Sequence, residues 1–231
     1  MPDVPATPVS SEGVAGSVFG DRLPLAQRFA EHLVTSGVER GLIGPREAPR
    51  VWDRHVLNCA LVAELVPNGA RLVDVGSGAG LPGIPLALAR PDLRIVLIEP
   101  LARRVEWLHE VIADLGLSIA VERGRAEETV VRRRWEGADV VTARAVAPLA
   151  RLAGWSLPLL RPGGLMLAMK GDSAPAEVER DAAAVRKLGG GIPRIERAGV
   201  GVIDPPSTVV VVERVRGAGS PERSRRRRGQ A

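Results

Sequence analysis

From about residue 71 onward the chain alternates between two kinds of apolar pattern. Short apolar runs at 72–75, 94–99, 119–122, 139–142 and 165–169 read as strands. Between them, residues 84–89, 102–115, a short segment near Glu127, 148–160 and 175–188 have the three-to-four-residue spacing of helices. In 102–115 the spacing is carried by Val105, Leu108, Ile112 and Leu115. Two further strands, 194–202 and 208–215, have only a loop between them, too short for a parallel crossover, so they are expected to pair antiparallel. Strand–helix alternation predicts an α/β fold: a Rossmann-like seven-stranded sheet, mostly parallel and covered on both faces, with the last pair antiparallel.

Before that alternation the pattern is helical. Residues 1–20 are rich in Pro, Gly and Ser and are expected to be disordered. Residues 21–36 place Leu25, Phe29 and Leu33 on one face and stop at Gly37, and a short helix at 38–43 follows. Residues 47–65 read as one longer helix with Trp52, Val56, Ala60 and Ala63 inward, ended by Pro67-Asn68-Gly69. The expected organisation is a disordered start (1–20), a helical cap (21–70), a ligand-binding α/β domain (71–215) and a disordered arginine-rich tail (216–231).

The first strand runs into Val73-Asp74-Val75-Gly76-Ser77-Gly78-Ala79-Gly80-Leu81-Pro82-Gly83. Glycine tolerates positive φ and lets backbone approach a ligand, and the helix start beyond it offers free N–H groups. The dinucleotide fingerprint G-x-G-x-x-G would need glycine at 81, where Leu81 stands. Asp74 would repel a pyrophosphate but could hold the ammonium of an amino acid, which points to S-adenosylmethionine (SAM) rather than NAD. Ligands in such sheets bind at the carboxyl ends of the strands. Strand two ends in Glu99, a carboxylate suited to both hydroxyls of an adenosine ribose. After strand three, Gly124-Arg125-Ala126-Glu127-Glu128 offers backbone N–H groups and a carboxylate for an adenine edge, or only the usual charge of a helix start. After strand four, Arg144 points into the crevice.

Composition narrows the setting. One cysteine excludes an internal disulfide and fits a reducing compartment, and no apolar run approaches a membrane span, so a cytoplasmic protein is expected. The net charge of +5 is concentrated: the segment from Gly217 on carries five arginines and one glutamate, leaving about +1 for the rest. That tail reads either as a phosphate-binding arm or as a solvated end, as does Arg132-Arg133-Arg134. Thirty arginines against two lysines, with no tyrosine, look like codon bias and say little about RNA.

The Arg161-Pro162-Gly163-Gly164 segment before strand five, with the terminal antiparallel strand, resembles class I SAM-dependent methyltransferases over residues 71–215. No Asn/Asp-Pro-Pro-aromatic motif follows strand four, and Asp204-Pro205-Pro206-Ser207 reads as a turn. Cys59 reads as a buried thiol rather than a nucleophile, and the three histidines lack metal spacing. What remains is an acceptor that needs little activation, such as guanine N7, which has a lone pair and no proton to lose.

A closer resemblance rests on Trp52-Asp53-Arg54-His55-Val56-Leu57, the Gly80-Leu81-Pro82-Gly83 loop, Arg103-Arg104-Val105-Glu106-Trp107-Leu108, Arg125-Ala126-Glu127, Ala143-Arg144-Ala145 and Ala168-Met169-Lys170-Gly171. The set is similar to the bacterial small-subunit ribosomal RNA guanine-N7 methyltransferase family (GidB) over about residues 21–215. The resemblance implies SAM as cofactor, 16S rRNA or the small ribosomal subunit as partner, guanine 527 of that RNA as target, and a monomer with no membrane. It implies SAM contacts from Gly76, Leu81, Ala126, Glu127 and Arg144, beside Asp74, Gly78 and Glu99 read from the strand ends. The family's Leu-Asp-Ser after Arg-His is Leu57-Asn58-Cys59 here. Arg54 and His55 stay open between contacting RNA phosphate or the methionine end of SAM and packing the helix; with Arg144 they are the positioning candidates. The competing readings are a methyltransferase for another RNA or a small molecule, a nucleoside-binding protein that transfers nothing, and a NAD-dependent oxidoreductase, disfavoured by Leu81.

Overall fold

A computed structural model of the chain describes residues 9–215, so the arginine tail expected at 216–231 lies outside the described residues. Seven strands, β1 (Arg71–Val75), β2 (Arg94–Glu99), β3 (Ala120–Arg123), β4 (Ala138–Arg144), β5 (Leu160–Lys170), β6 (Arg194–Ala198) and β7 (Ser207–Glu213), form one sheet in the order β3-β2-β1-β4-β5-β7-β6. The first five are parallel, and β7 runs antiparallel to both β5 and β6. The strand order reverses between β1 and β4, where a crevice opens at the carboxyl ends.

The period of two along each strand divides the apolar side chains between two cores. Leu72, Leu97, Val140, Leu167 and Val211 face one side. There they meet helices α1 (Val9–Phe19), α2 (Leu23–Val34) and α3 (Ser36–Glu39), the cap segment up to Leu65, α5 (Gly83–Ala89) and α6 (Ala102–Asp114). Val73, Val75, Ile98, Val141, Ala168 and Val210 face the other side, under α7 (Thr129–Trp135), α8 (Leu149–Ser156) and α9 (Ala174–Lys187). The cap also docks through polar contacts. Trp107 Nε1 donates to Ser36 Oγ at 3.0 Å, and Asp114 accepts from both Arg28 and His32. No helix among the described residues is long and apolar enough to cross a membrane.

Several boundaries differ from expectation, each for a local reason. A helix forms over Val9–Phe19, within the stretch expected to be disordered, because Ala15 and Phe19, four residues apart, bury into the core. The expected regular helix over 47–65 is instead a succession of helical types: a 3-10 turn at Pro45–Arg50, a π segment at Val51–Leu57, the short α4 (Asn58–Ala60) and a 3-10 turn at Leu61–Leu65. Pro49 removes one N–H donor from that run. β6 stops at Ala198 rather than 202, because Gly199 and Gly201, at φ +77° and +76°, turn the chain. β5 starts five residues earlier than expected, at Leu160, pairing with Ala138 across a register shift in the β4–β5 ladder. The remaining strands and helices fall within a few residues of their expected bounds.

Gly83, the first residue of α5, shows how tightly the crevice floor is packed. A Cβ there would collide with Leu97 Cδ2 and lie 3.0 Å from Asp74 Oδ2. Gly83→Ala is therefore expected to cost about 1–3 kcal/mol of stability through overpacking, read as a lower urea midpoint with unchanged slope. An unchanged midpoint would show that the floor yields.

Candidate active site

The loop after β1 owes its shape to three left-handed glycines, Gly76, Gly78 and Gly80. It is strapped to the neighbouring strand, since Gly76 N and Ser77 N both donate to the Ile98 carbonyl, at 2.9 and 3.2 Å. A Cβ on Gly76 would press on Val146 at 2.9 Å, whereas a Cβ on Gly78 would find no protein atom closer than 3.8 Å. Gly78 thus opens onto space, and that space is a cavity of about 630 Å³.

Glu99, at the end of β2, lines this cavity and is almost wholly buried. Its two oxygens accept from Gly78 N at 2.9 Å and Leu101 N at 3.0 Å, with Arg104 Nη1 3.7 Å away. Gly76, Gly78, Leu81, Glu99 and Arg144 from the expected set line the cavity together, joined by Arg54 and His55. A glycine cradle facing a fixed carboxylate fits a nucleoside with vicinal hydroxyls.

Three expected residues lie elsewhere. Asp74 does not line the cavity. It sits fully buried beneath the loop, where Oδ2 accepts from Gly83 N at 3.2 Å and Oδ1 from Thr142 Oγ at 3.0 Å. This placement has a simple cause: Asp74 shares a sheet face with Leu72 and pairs in register with Thr142, so its side chain points at α5 rather than along the strand into the crevice. Burial pushes its carboxyl up to about 6, against the opposing hydrogen bonds. Ala126 is buried in the second core and Glu127 is exposed, both before α7 and outside the residues lining the cavity.

Arg144 is the hub. Its Nη1 donates to Cys59 Sγ at 3.0 Å, and its Nη2 donates to the Arg54 carbonyl at 3.0 Å and lies 2.7 Å from His55 Nδ1. A guanidinium has only donors, so Nδ1 must present a lone pair and the ring proton must sit on Nε2. That proton faces Glu47 Oε2 at 3.0 Å, while Glu47 Oε1 accepts from Arg54 Nη1 at 3.3 Å. Burial and then the Arg144 charge lower the His55 pKa to about 4 despite Glu47, so the imidazole is neutral at physiological pH. Ala145, next in the chain, sits at φ +53°, the one non-glycine at positive φ among the described residues. Cys59 is fully buried, and burial raises its thiol pKa. Its sulfur serves as an acceptor for Arg144, and the neighbouring Asn58 carbonyl accepts from Ser207 Oγ at 2.8 Å. These are the residues standing where the family's Asp-Ser was expected.

A second cavity of about 930 Å³ shares Arg54, Arg144 and Ala145 with the first. Arg50, Lys170, Arg197 and the Asp204-Pro205-Pro206 turn line its other sides. Sequence reasoning missed Glu47, which looked like the first residue of a helix, and treated Asp204-Pro205-Pro206 as a turn only. Arg104 was legible as part of a motif but not as the partner of Glu99.

The chain matches the family GidB, "rRNA small subunit methyltransferase G", over residues 22–197. A ribosomal RNA small subunit methyltransferase G from Salinispora arenicola is 57% identical over 228 residues, covering 94% of this chain and 93% of the relative. Among solved structures, the mitomycin 7-O-methyltransferase MmcR shares the fold at TM-score 0.58 and 18% identity, covering 93% of this chain and 74% of that one. The M. jannaschii TYW2 structure in complex with AdoMet matches at TM-score 0.52 and 16% identity, covering 69% and 74%. The chain belongs to the GidB family of small-subunit ribosomal RNA methyltransferases, and its reaction is the S-adenosylmethionine-dependent methylation of ribosomal RNA.

Proposed function

We propose that this enzyme methylates N7 of a guanine in 16S rRNA, guanine 527 by family resemblance, acting as a cytoplasmic monomer on the small subunit or an assembly particle. The observation that carries this reading is the meeting of two cavities at Arg54, Arg144 and Ala145, one with a nucleoside cradle and one lined by five basic side chains set among four carboxylates. In this reading the smaller cavity holds SAM. Glu99 takes the ribose hydroxyls, the Gly76–Gly78 backbone receives the methionine end, and Ala126 and Glu127 lie toward the adenine. Asp74 fixes the loop from below rather than touching the ligand. The larger cavity receives the RNA, with phosphates drawn to Arg50 and Arg197.

Bound SAM supplies a methyl on a sulfonium, whose carbon–sulfur electron pair returns to sulfur as the acceptor takes the carbon. N7 gives up no proton, so no general base is needed. His55 supports that economy: its one unprotonated nitrogen faces Arg144 at 2.7 Å. What the residues supply is placement and exclusion of water.

Gly78→Val fills the open side of the cradle, so calorimetry should show SAM affinity falling by at least about tenfold. Affinity within twofold of wild type would contradict the cradle assignment. For the acceptor, mass mapping of 16S rRNA from a strain lacking this gene should show one guanine-N7 methyl lost and restored on complementation. An unchanged methyl would contradict the proposed target.

A further inference from the structure

Resting on the guanine-N7 reading, we infer that Arg54 reads O6 of the target guanine, with Glu47 holding and neutralising its guanidinium. The argument begins with which cations can reach both reactants. Of the six arginine and lysine side chains that line the two cavities, only Arg54 and Arg144 border both, Arg104 lying in the smaller one beside Glu99. Arg144 is committed to Cys59, the Arg54 carbonyl and His55. Lys170 is committed to the Ala147 carbonyl and Glu177, Arg197 donates to Thr208, and Arg50 lines the larger cavity alone. Arg54 is half exposed, and its bond to Glu47 uses one of the five N–H groups on its fork.

The chemistry of the base then selects the contact. Guanine presents N7 and O6 side by side, and arginine ordinarily takes both. An enzyme that methylates N7 must leave that lone pair free, so O6 is the remaining handle on the same edge. Adenine offers an amino group there, a donor facing a donor, which a guanidinium rejects. The methylated base becomes cationic, and a bare arginine beside it would oppose the reaction. Glu47, 3.3 Å from Arg54 Nη1, makes the reading group a neutral pair. His55, through its Nε2–H, fixes the other oxygen of the same carboxylate, so the pair is anchored to the Arg144 hub.

The test pairs a protein change with a base change. The full-length enzyme is assayed for N7 methylation on small subunits carrying either guanine or 2-aminopurine, which lacks O6 but keeps N7, at the target position. Wild type should methylate 2-aminopurine about tenfold or more slowly in kcat/KM. In Arg54→Met that penalty should shrink to within about twofold, because the partner of O6 is gone. Arg54→Lys, which keeps a donor and a charge, should retain an intermediate penalty. An equal penalty in wild type and Arg54→Met, with guanine still methylated at N7 by wild type, would overturn the role of Arg54 alone. No N7-methylguanine from wild type would overturn the underlying reading as well.

Discussion

Everything in the crevice depends on where one guanidinium is held. Arg144 leaves the parallel sheet at the end of β4, yet all three of its partners belong to the helical cap. The cap also rests on apolar packing, which is non-directional, on exposed ion pairs along α6, which are worth little individually, and on hydrogen bonds away from the crevice such as Trp107 to Ser36 and Gly199 N to Glu64. The clasp fixes the cap in register with the strand ends. It therefore fixes the wall at which the two cavities meet. Arg144 is half-buried, and three of its five N–H groups are taken up by a sulfur, a carbonyl and an imidazole nitrogen.

The same network sets the charge of the site. Glu47 holds the Nε2–H tautomer of His55, and that tautomer gives Arg144 an acceptor. The pathway from carboxylate to imidazole to guanidinium occupies the bare nitrogen of His55, which in the proposed guanine-N7 reaction suits an acceptor that has no proton to release. In that reading catalysis rests on orientation, and orientation rests on rigid elements: a glycine loop strapped to β2, Glu99 pinned by two backbone N–H groups, and a floor with no room for a methyl at Gly83.

Much of this was legible in the chain itself. Strand period and helix spacing placed the sheet and its coverings, and the glycine loop located the crevice because left-handed backbone and close approach require glycine. Glu99 was legible as a crevice residue because it ends strand two, and it does line the smaller cavity. Asp74 lies off the cavity for a physical reason: a residue's position in sequence says that it is near the site, while the strand's two-residue period decides which way it points, and it points at Thr142 and Gly83. Glu47 was invisible because its importance arises from a π segment that turns Arg54 and His55 toward it, and a 3.6-residue reading of the cap cannot anticipate that turn. The Asn58-Cys59 pair was legible as a departure from family pattern but not as what it does, since a buried thiol as acceptor for an arginine is a tertiary contact.

The clasp can be observed directly in the imidazole ring of His55. A pH titration of the protein with histidine-selective 15N labelling should show His55 neutral down to about pH 5, with the proton on Nε2 and Nδ1 bare, because its pKa lies near 4. A ring that titrates at the ordinary pKa of about 6.5 would show that Arg144 does not press on it, and one that carries its proton on Nδ1 could not accept from Arg144; either result would contradict the clasp.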